Sequence, residues 1–503
     1  MVHPAPARQH YNVTLGILIF AGIAFALQQT MIVPALPILQ REFDTSAAWA
    51  AWVLTGFLLS ASVATPLMGK LGDQYGKERM LVISLSLFLC GSIGAIFAWH
   101  IGALIGFRIL QGTGAAVFPL AFAIIKDEFP PEKVGTAIGA VSAVFGVGGG
   151  LGLSLSGVLI DHLGWRWLFI VGATVVAAAV VLVHLFVPES PIKTPSRLDI
   201  PGALLLSVGL LALLVALTEG EHWGWTSPPL LGLFAASFVA LLAWGIVELR
   251  VPEPLVDMRM LANRPVLFAN LTGLIAGFAL FGSFVLVPSL LQLPAGLPPA
   301  LARLADYGFG ASATETGLYL LPAAVTGFFT GPLSGVIGSR WGPKWPLCIG
   351  MTLGGLGLTI LAEWHEEPWH IVAGMLVLGG GLPMTFAAMA NIIVDSVRPT
   401  ETGVATGMNT VMRTVGGVIG GQAGAAILTA KTIGDTPVPA ESAFTTAFWI
   451  GAAASAVAVL VALMITPISP RRRAALRTRS ERREVPEARG AASTGAAPPR
   501  PGS

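Results

Sequence analysis

Gly69-Lys70-Leu71-Gly72-Asp73-Gln74-Tyr75-Gly76-Lys77-Glu78-Arg79 is the stretch on which the reading of this chain turns. Pro66-Leu67 precedes it, and the same arrangement returns as Pro332-Leu333 before the Gly335–Gly342 stretch, an offset of 332 − 66 = 266. Further on, Gly135, Gly139, Gly148 and Gly152 return as Gly403, Gly407, Gly416 and Gly420, an offset of 403 − 135 = 268. Two near-equal offsets mean a chain built of two matched halves, which in a membrane protein points to transport about a site between the repeats. Within the loop, the glycines permit a tight turn between close helices, and Asp73 is placed either to cap a neighbouring helix N-terminus or to pair with Arg79.

Composition supplies the solvent. Of 503 residues, 54% are hydrophobic and 11% charged, the mean hydropathy is +0.76, and soluble domains carry about 25% charge. Apolar runs near 13–39, 50–69, 80–99, 101–125, 134–160 and 165–187 make six spans. Two more fall near 199–218 and 228–248. Six others fall near 267–292, 314–338, 345–362, 369–394, 402–430 and 442–466. The expectation is an all-α membrane protein with two six-helix bundles, 1–190 and 263–466, an inserted helix pair and linkers over 191–262, and a basic tail over 467–503. The tail is read as disordered and able to touch anionic lipid.

With an even number of spans both termini share a side. If that side is cytoplasmic, fourteen Lys and Arg face it and only Arg41, Arg166, Arg303 and Lys431 face the other, as the positive-inside rule requires. The first run is too long for a signal-peptide core. Two cysteines, Cys90 and Cys348, each inside an apolar run, make no disulfide framework. A net charge of +2 argues against a nucleic-acid partner. Neither metal nor cofactor is expected, and a monomer in a bacterial inner membrane is the simplest assembly.

The Gly69–Arg79 loop resembles the signature between the second and third helices of the major facilitator superfamily. Arg108, Gln111, Gly112, Gly114, Ala115 and Ala116 match a second signature, and Gly164-Trp165-Arg166-Trp167 with the inserted pair resembles the fourteen-span drug:proton antiporters. The resemblance implies alternating access, with Gly69, Gly72, Asp73, Gly76, Lys77 and Arg79 as the conformational switch. It also implies that Arg108, with Gln111 and Gly112, faces a central cavity and takes part in proton coupling. A buried arginine is costly in lipid. Arg413 bears the same cost with no family signature behind it, and reads as either structural or substrate-facing.

Two positions depart from that pattern. Gly152 is followed by Leu153 where the antiporter signature has a Gly-Pro pair, with Ser156 in place of a glycine, and Gln28 stands where the subfamily has a carboxylate before Thr30–Pro37. None of the 27 acids falls deep in a span, so the coupling carrier is unassigned. His184 reads as a hydrogen-bonded packing residue. Gly148, Gly152, Gly157, Gly416 and Gly420 suit an interface between rocking halves. Gln28, Gln29, Asn270, Asn391, Asn409 and Gln422, with Met31, Phe281 and Met384, are the expected cavity surface beside Arg413. Lacking a buried carboxylate, that surface favours neutral or weakly cationic amphipaths. The expected function is proton-coupled export of drugs or amphipathic small molecules. A metabolite facilitator or importer of the same fold is the alternative, and a sensor or an embedded enzyme fits less well.

Overall fold

A helix whose every N–H and C=O pairs internally is the solution that lipid permits for such runs. The computed structural model describes residues 10–190, 199–294, 299–434, 436 and 438–465. The expected basic tail, Lys193 and Arg197 lie outside these. Among the described residues there is no β-strand beyond one isolated bridge, Thr432 to Pro439, and thirteen helices are long and apolar enough to cross a membrane.

The first half comprises α1 (Tyr11–Met31), α2 (Ala47–Tyr75), α3 (Lys77–Ile96), α4 (Ile101–Glu128), α5 (Pro131–Leu163) and α6 (Arg166–Phe186). The inserted pair is α7 (Ile200–Trp223) and α8 (Pro228–Glu248). The second half comprises α9 (264–292), α10 (Ala313–Trp341), α11 (Lys344–Glu363), α12 (Pro368–Ser396), α13 (Thr402–Ala430) and α14 (Glu441–Leu463). The fourteenth span is α9, which falls short of a single α-helix because Gly277–Phe281 form a π-turn, an interruption that often accompanies function. Likewise α4 is broken by a 3-10 turn at Thr113–Ala116, just after Gly112 comes within van der Waals reach of the Phe57 carbonyl.

Sequence marks the helix ends. Ser46 accepts from Trp49 N–H to start α2, and Ser312 with Glu315 forms a capping box on α10. Gly76 (φ 124°) and Gly342 (φ 95°) occupy the same place in the two repeats and turn the chain into α3 and α11 with a backbone that L side chains rarely adopt.

The repeat is also visible in what the glycines touch. A Cβ on Gly69 would stand 2.5 Å from the Gly403 carbonyl oxygen, and Gly335 is packed as tightly on Gly135. Gly139 opposes Gly331, and Gly407 opposes Pro66. So α5 crosses to α10 and α13 crosses to α2 by the same device. The later glycines of each helix do something else, contrary to expectation. Gly148 and Gly152 pack on Ala26 and Leu27 of α1, and Gly416 and Gly420 pack on Leu274 and Phe278 of α9. These four hold each helix to the first helix of its own half, while Gly157, against Thr314, does cross.

Each half has its own core. Phe25, Phe57, Phe88 and Phe118 centre the first. The core of the second takes in Leu206, Leu210, Leu214 and Trp244 of the inserted pair, whose first helix lies against α2 of the first half as well as α13 of the second.

Gly139→Ala is expected to destabilise the protein by about 1–3 kcal/mol through overpacking, read as a lower melting midpoint in detergent by tryptophan fluorescence. Gly421, where an added methyl would meet nothing within 4 Å, should accept alanine with no loss.

Candidate functional site

Two constellations stand out, one at the end of the bundle that carries the Gly69–Arg79 loop and one between the halves.

At the loop end, the close approach of Gly69 to Gly403 delivers Asp73 to the start of α13. Its Oδ2 accepts from Gly403 N–H (3.1 Å) and Val404 N–H (3.3 Å), so a carboxylate caps a helix N-terminus belonging to the other half. Of the two expected roles the geometry takes the first. The ion-pair partner is Lys77 at 3.8 Å, whereas Arg79 is exposed and its backbone N–H points to Glu189. Lys77 is fully buried, also pairs with Asp127, and reaches the Pro399 carbonyl at 3.4 Å. Lys126 adds bonds to the Val394 (2.6 Å) and Val397 (3.0 Å) carbonyls, and Asn391 donates to the Gly135 carbonyl at 3.3 Å. Lys126 and Asp127 are contributors that the sequence reading missed; an ionic dipeptide closing an apolar run was the available signal. Gly72 packs on Leu120. At the opposite end the halves meet through Thr314, whose hydroxyl lies a long 3.4 Å from Asp161.

The loop after α8 joins this latch. Lys70 Nζ donates to the Pro254 carbonyl (2.9 Å), and Asp257 lies 4.0 Å from Arg398. Glu248 and Glu219 are boundary acids, as expected, yet both are buried: Glu248 accepts from Trp244 Nε1 (2.8 Å) and Val256 N–H (3.2 Å), and Glu219 from Trp52 Nε1 (2.7 Å).

Inside the first half, Arg108 is fully buried. Its Nε donates to the Val53 carbonyl (3.1 Å), Nη1 to Gln111 Oε1 (2.7 Å), and its guanidinium lies 4.5 Å from the Phe57 ring centre. Gln111 Nε2 donates to Ser92 Oγ (2.7 Å), and the single Ser92 proton is shared between Gln28 Oε1 (3.0 Å) and the Phe88 carbonyl (2.8 Å). The glutamine that replaces the subfamily carboxylate is thus wired to Arg108 and is not a free cavity amide. Ser92 had no sequence signal.

Other expected cavity residues are also consumed by packing. Met31 joins a core cluster with Ile32 and Leu39. Asn409 donates to Asn270 Oδ1 (3.1 Å) and the Ala269 carbonyl (3.3 Å), tying α13 to α9. Met384 is buried, and its carbonyl accepts from Ser334. Gln29 and Gln422 are half-buried, and the Phe281 side chain is outside the described residues. His184 is a correction: it sits in the last turn of α6, 70% exposed and 3.6 Å from Glu78, so it is a surface partner of an acid and not a packing residue.

Arg413 of α13 is 6% exposed and stands over Phe386 of α12 (4.2 Å) and Phe145 of α5 (5.4 Å). These phenylalanines meet edge to face at 5.5 Å. Phe145 stacks on Phe118 at 3.9 Å, and Phe118 meets Phe25 at 5.8 Å, which in turn meets Phe57 at 5.9 Å. An unbroken row of rings therefore runs from one buried arginine to the other. Nothing in the sequence marked Phe145 or Phe386 apart from other apolar residues.

Comparison with known proteins agrees with this architecture. The chain is 29% identical over 389 residues to the tetracenomycin C resistance and export protein of Streptomyces glaucescens, covering 76% of this chain and 69% of that one. It is 28% identical over 393 residues to the multidrug transporter protein MdtP of Bacillus subtilis, covering 77% and 70%. It is 30% identical over 377 residues to the multidrug resistance protein Stp of Mycobacterium tuberculosis, covering 74% and 67%. In fold it is similar to the human organic anion transporter MFSD10 (TETRAN), with a TM-score of 0.62 at 13% identity over 90% of this chain and all of that one. The sequence model of the Major Facilitator Superfamily matches residues 18–308 and 295–498; this chain, with its repeated halves and interlocked loop, belongs to that superfamily.

Proposed function

We propose that the protein exports amphipathic small molecules by alternating access across a bacterial plasma membrane, with the Gly69–Arg79 loop, both termini and the basic tail on the cytoplasmic side. The observation that carries this reading is the latch: Asp73 capping α13 and Lys77 and Lys126 on carbonyls of the other half are bonds that can form only when the halves are closed at that end. The names of the relatives, two of them resistance proteins and one a multidrug transporter, support drugs as cargo. The repeat offsets and the lysine and arginine distribution support a first bundle to about 190, an inserted pair to about 262 and a second bundle to about 466.

Proton drive is part of the proposal. One inward proton at 100 mV supplies about 2.3 kcal/mol, enough for roughly a 50-fold gradient. The Arg108–Gln111–Ser92–Gln28 chain supports a polar relay inside the first half, although it holds no carboxylate. A facilitator of the same fold is the competing reading, favoured by Gln28 at the subfamily's acidic position.

Flux in inverted vesicles separates the two. Export predicts uptake of an amphipathic dye into inverted vesicles that rises with an imposed proton gradient; uptake indifferent to the gradient would remove the coupling, and flux equal in both directions would favour the facilitator.

Asp73→Ala should weaken the latch by about 0.5–2 kcal/mol, the range for a lost N-cap, shifting the halves toward the open cytoplasmic state roughly 2- to 30-fold. In a background with Cys90 and Cys348 changed to serine, a cysteine placed by Thr406→Cys, a buried position beside the latch, should then react faster with an impermeant maleimide from that side. An unchanged rate would remove Asp73 from the gate.

A further inference from the structure

We propose that the Arg413 guanidinium, seated on Phe145 and Phe386 between the two halves, is the docking point for an anionic group on an aromatic substrate. This rests on the export reading above and narrows its cargo, reversing the preference for neutral or weakly cationic compounds drawn from the sequence.

Arg413 is a buried cation for which the described residues supply no counter-charge: no salt bridge reaches it. Its Nη2 donates to Thr410 Oγ1 at 3.1 Å, while its Nε, equally buried, has no hydrogen-bond partner. The two ring faces beneath it attract the charge through their quadrupoles but accept no N–H in the guanidinium plane. A guanidinium in low dielectric with an unmet donor is costly unless something of opposite sign arrives, and its planar fork matches the geometry of a carboxylate, phenolate or sulfonate.

Access is available. Phe145 and Thr410, both in contact with the guanidinium, are only half-buried. The contrast with Arg108 is one of access, because that arginine, also without an acid and with its Nη2 unmatched, is fully enclosed, its other nitrogens committed to Val53 and Gln111. Arg108 is a wired residue; Arg413 is an open one. Beside it, the half-buried Phe145, backed by the buried Phe118, offers a ring against which a planar aromatic body can pack. Because Phe145 and Phe386 come from opposite halves, an anion seated on Arg413 would touch both and sense their relative position.

Two xanthene dyes of like ring system and opposite charge test this: fluorescein, at mildly alkaline pH where it is a dianion, and tetramethylrhodamine methyl ester, a cation. Binding to the purified full-length protein is read by fluorescence anisotropy. The wild type should hold fluorescein at least tenfold more tightly, and Arg413→Gln should lose about 10- to 100-fold of that affinity, as for removal of a charged hydrogen bond, while the cationic dye is unaffected or gains. Arg413→Lys, which keeps the charge but not the fork, should fall between.

A wild type that prefers the cationic dye overturns the proposal whatever the variants do, and so does equal loss of both dyes in Arg413→Gln, which would make the arginine a clamp between the rings. If Arg413→Gln does not fold, the wild-type preference and the intermediate value of Arg413→Lys still decide. Fluorescein bound but not moved in inverted vesicles would leave the docking point standing and sink the export reading instead.

Discussion

Backbone meets backbone at Gly69–Gly403 and at Gly135–Gly335, and most of the interlock between the halves depends on how close those meetings are. A side chain at Gly69, Gly403 or Gly335 would push the helices apart, and the polar atoms at the loop end have no reach to spare. Asp73 is at hydrogen-bond distance from Gly403 N–H only because Gly69, one helical turn before it, lies against the Gly403 carbonyl. The Lys77 bond to Pro399 and the Lys126 bonds to Val394 and Val397 inherit the same spacing. Small residues here set a distance, and the charges then use it.

Much of this was legible in the residues, and the boundary of legibility has a physical cause. The offsets of 266 and 268 carried the two halves, because a repeat is a property of the one-dimensional chain. The turn at Gly76 and its counterpart at Gly342 followed for the same reason. What the sequence does not carry is the direction in which a helical residue faces when nearly every face is apolar. Gly148 and Gly416 looked like members of a sliding seam and instead pin α5 and α13 to α1 and α9. Gln28, Asn270 and Asn409 looked like a polar lining and are spent on other side chains. In a soluble protein the water-facing side would have distinguished these cases; in lipid the outside is as apolar as the core, and the amphipathic signal disappears.

The second consequence of that blindness concerns charge. Counting acids along the chain showed none deep in a span and suggested a cavity for neutral or weakly cationic compounds. Seen in three dimensions, Arg108 and Arg413 have no acid beside them among the described residues and are joined by a row of five phenylalanines, Phe57, Phe25, Phe118, Phe145 and Phe386. A missing acid therefore has two readings, depending on whether a base faces the same space.

Lys77 is wholly shielded while the latch is shut, lodged among Asp73, Asp127 and the Pro399 carbonyl. Stripping three ions of their hydration carries a penalty that their mutual attraction roughly repays. When the bundles part, the three ions stay together on the first half, and water takes the places of the Pro399 carbonyl and of the Gly403 and Val404 N–H groups. A hydrophobic plug of the same size would have held the passage closed with no such compensation. A seal made with charge is thus one that entering water can compensate, which narrows the cost of opening it.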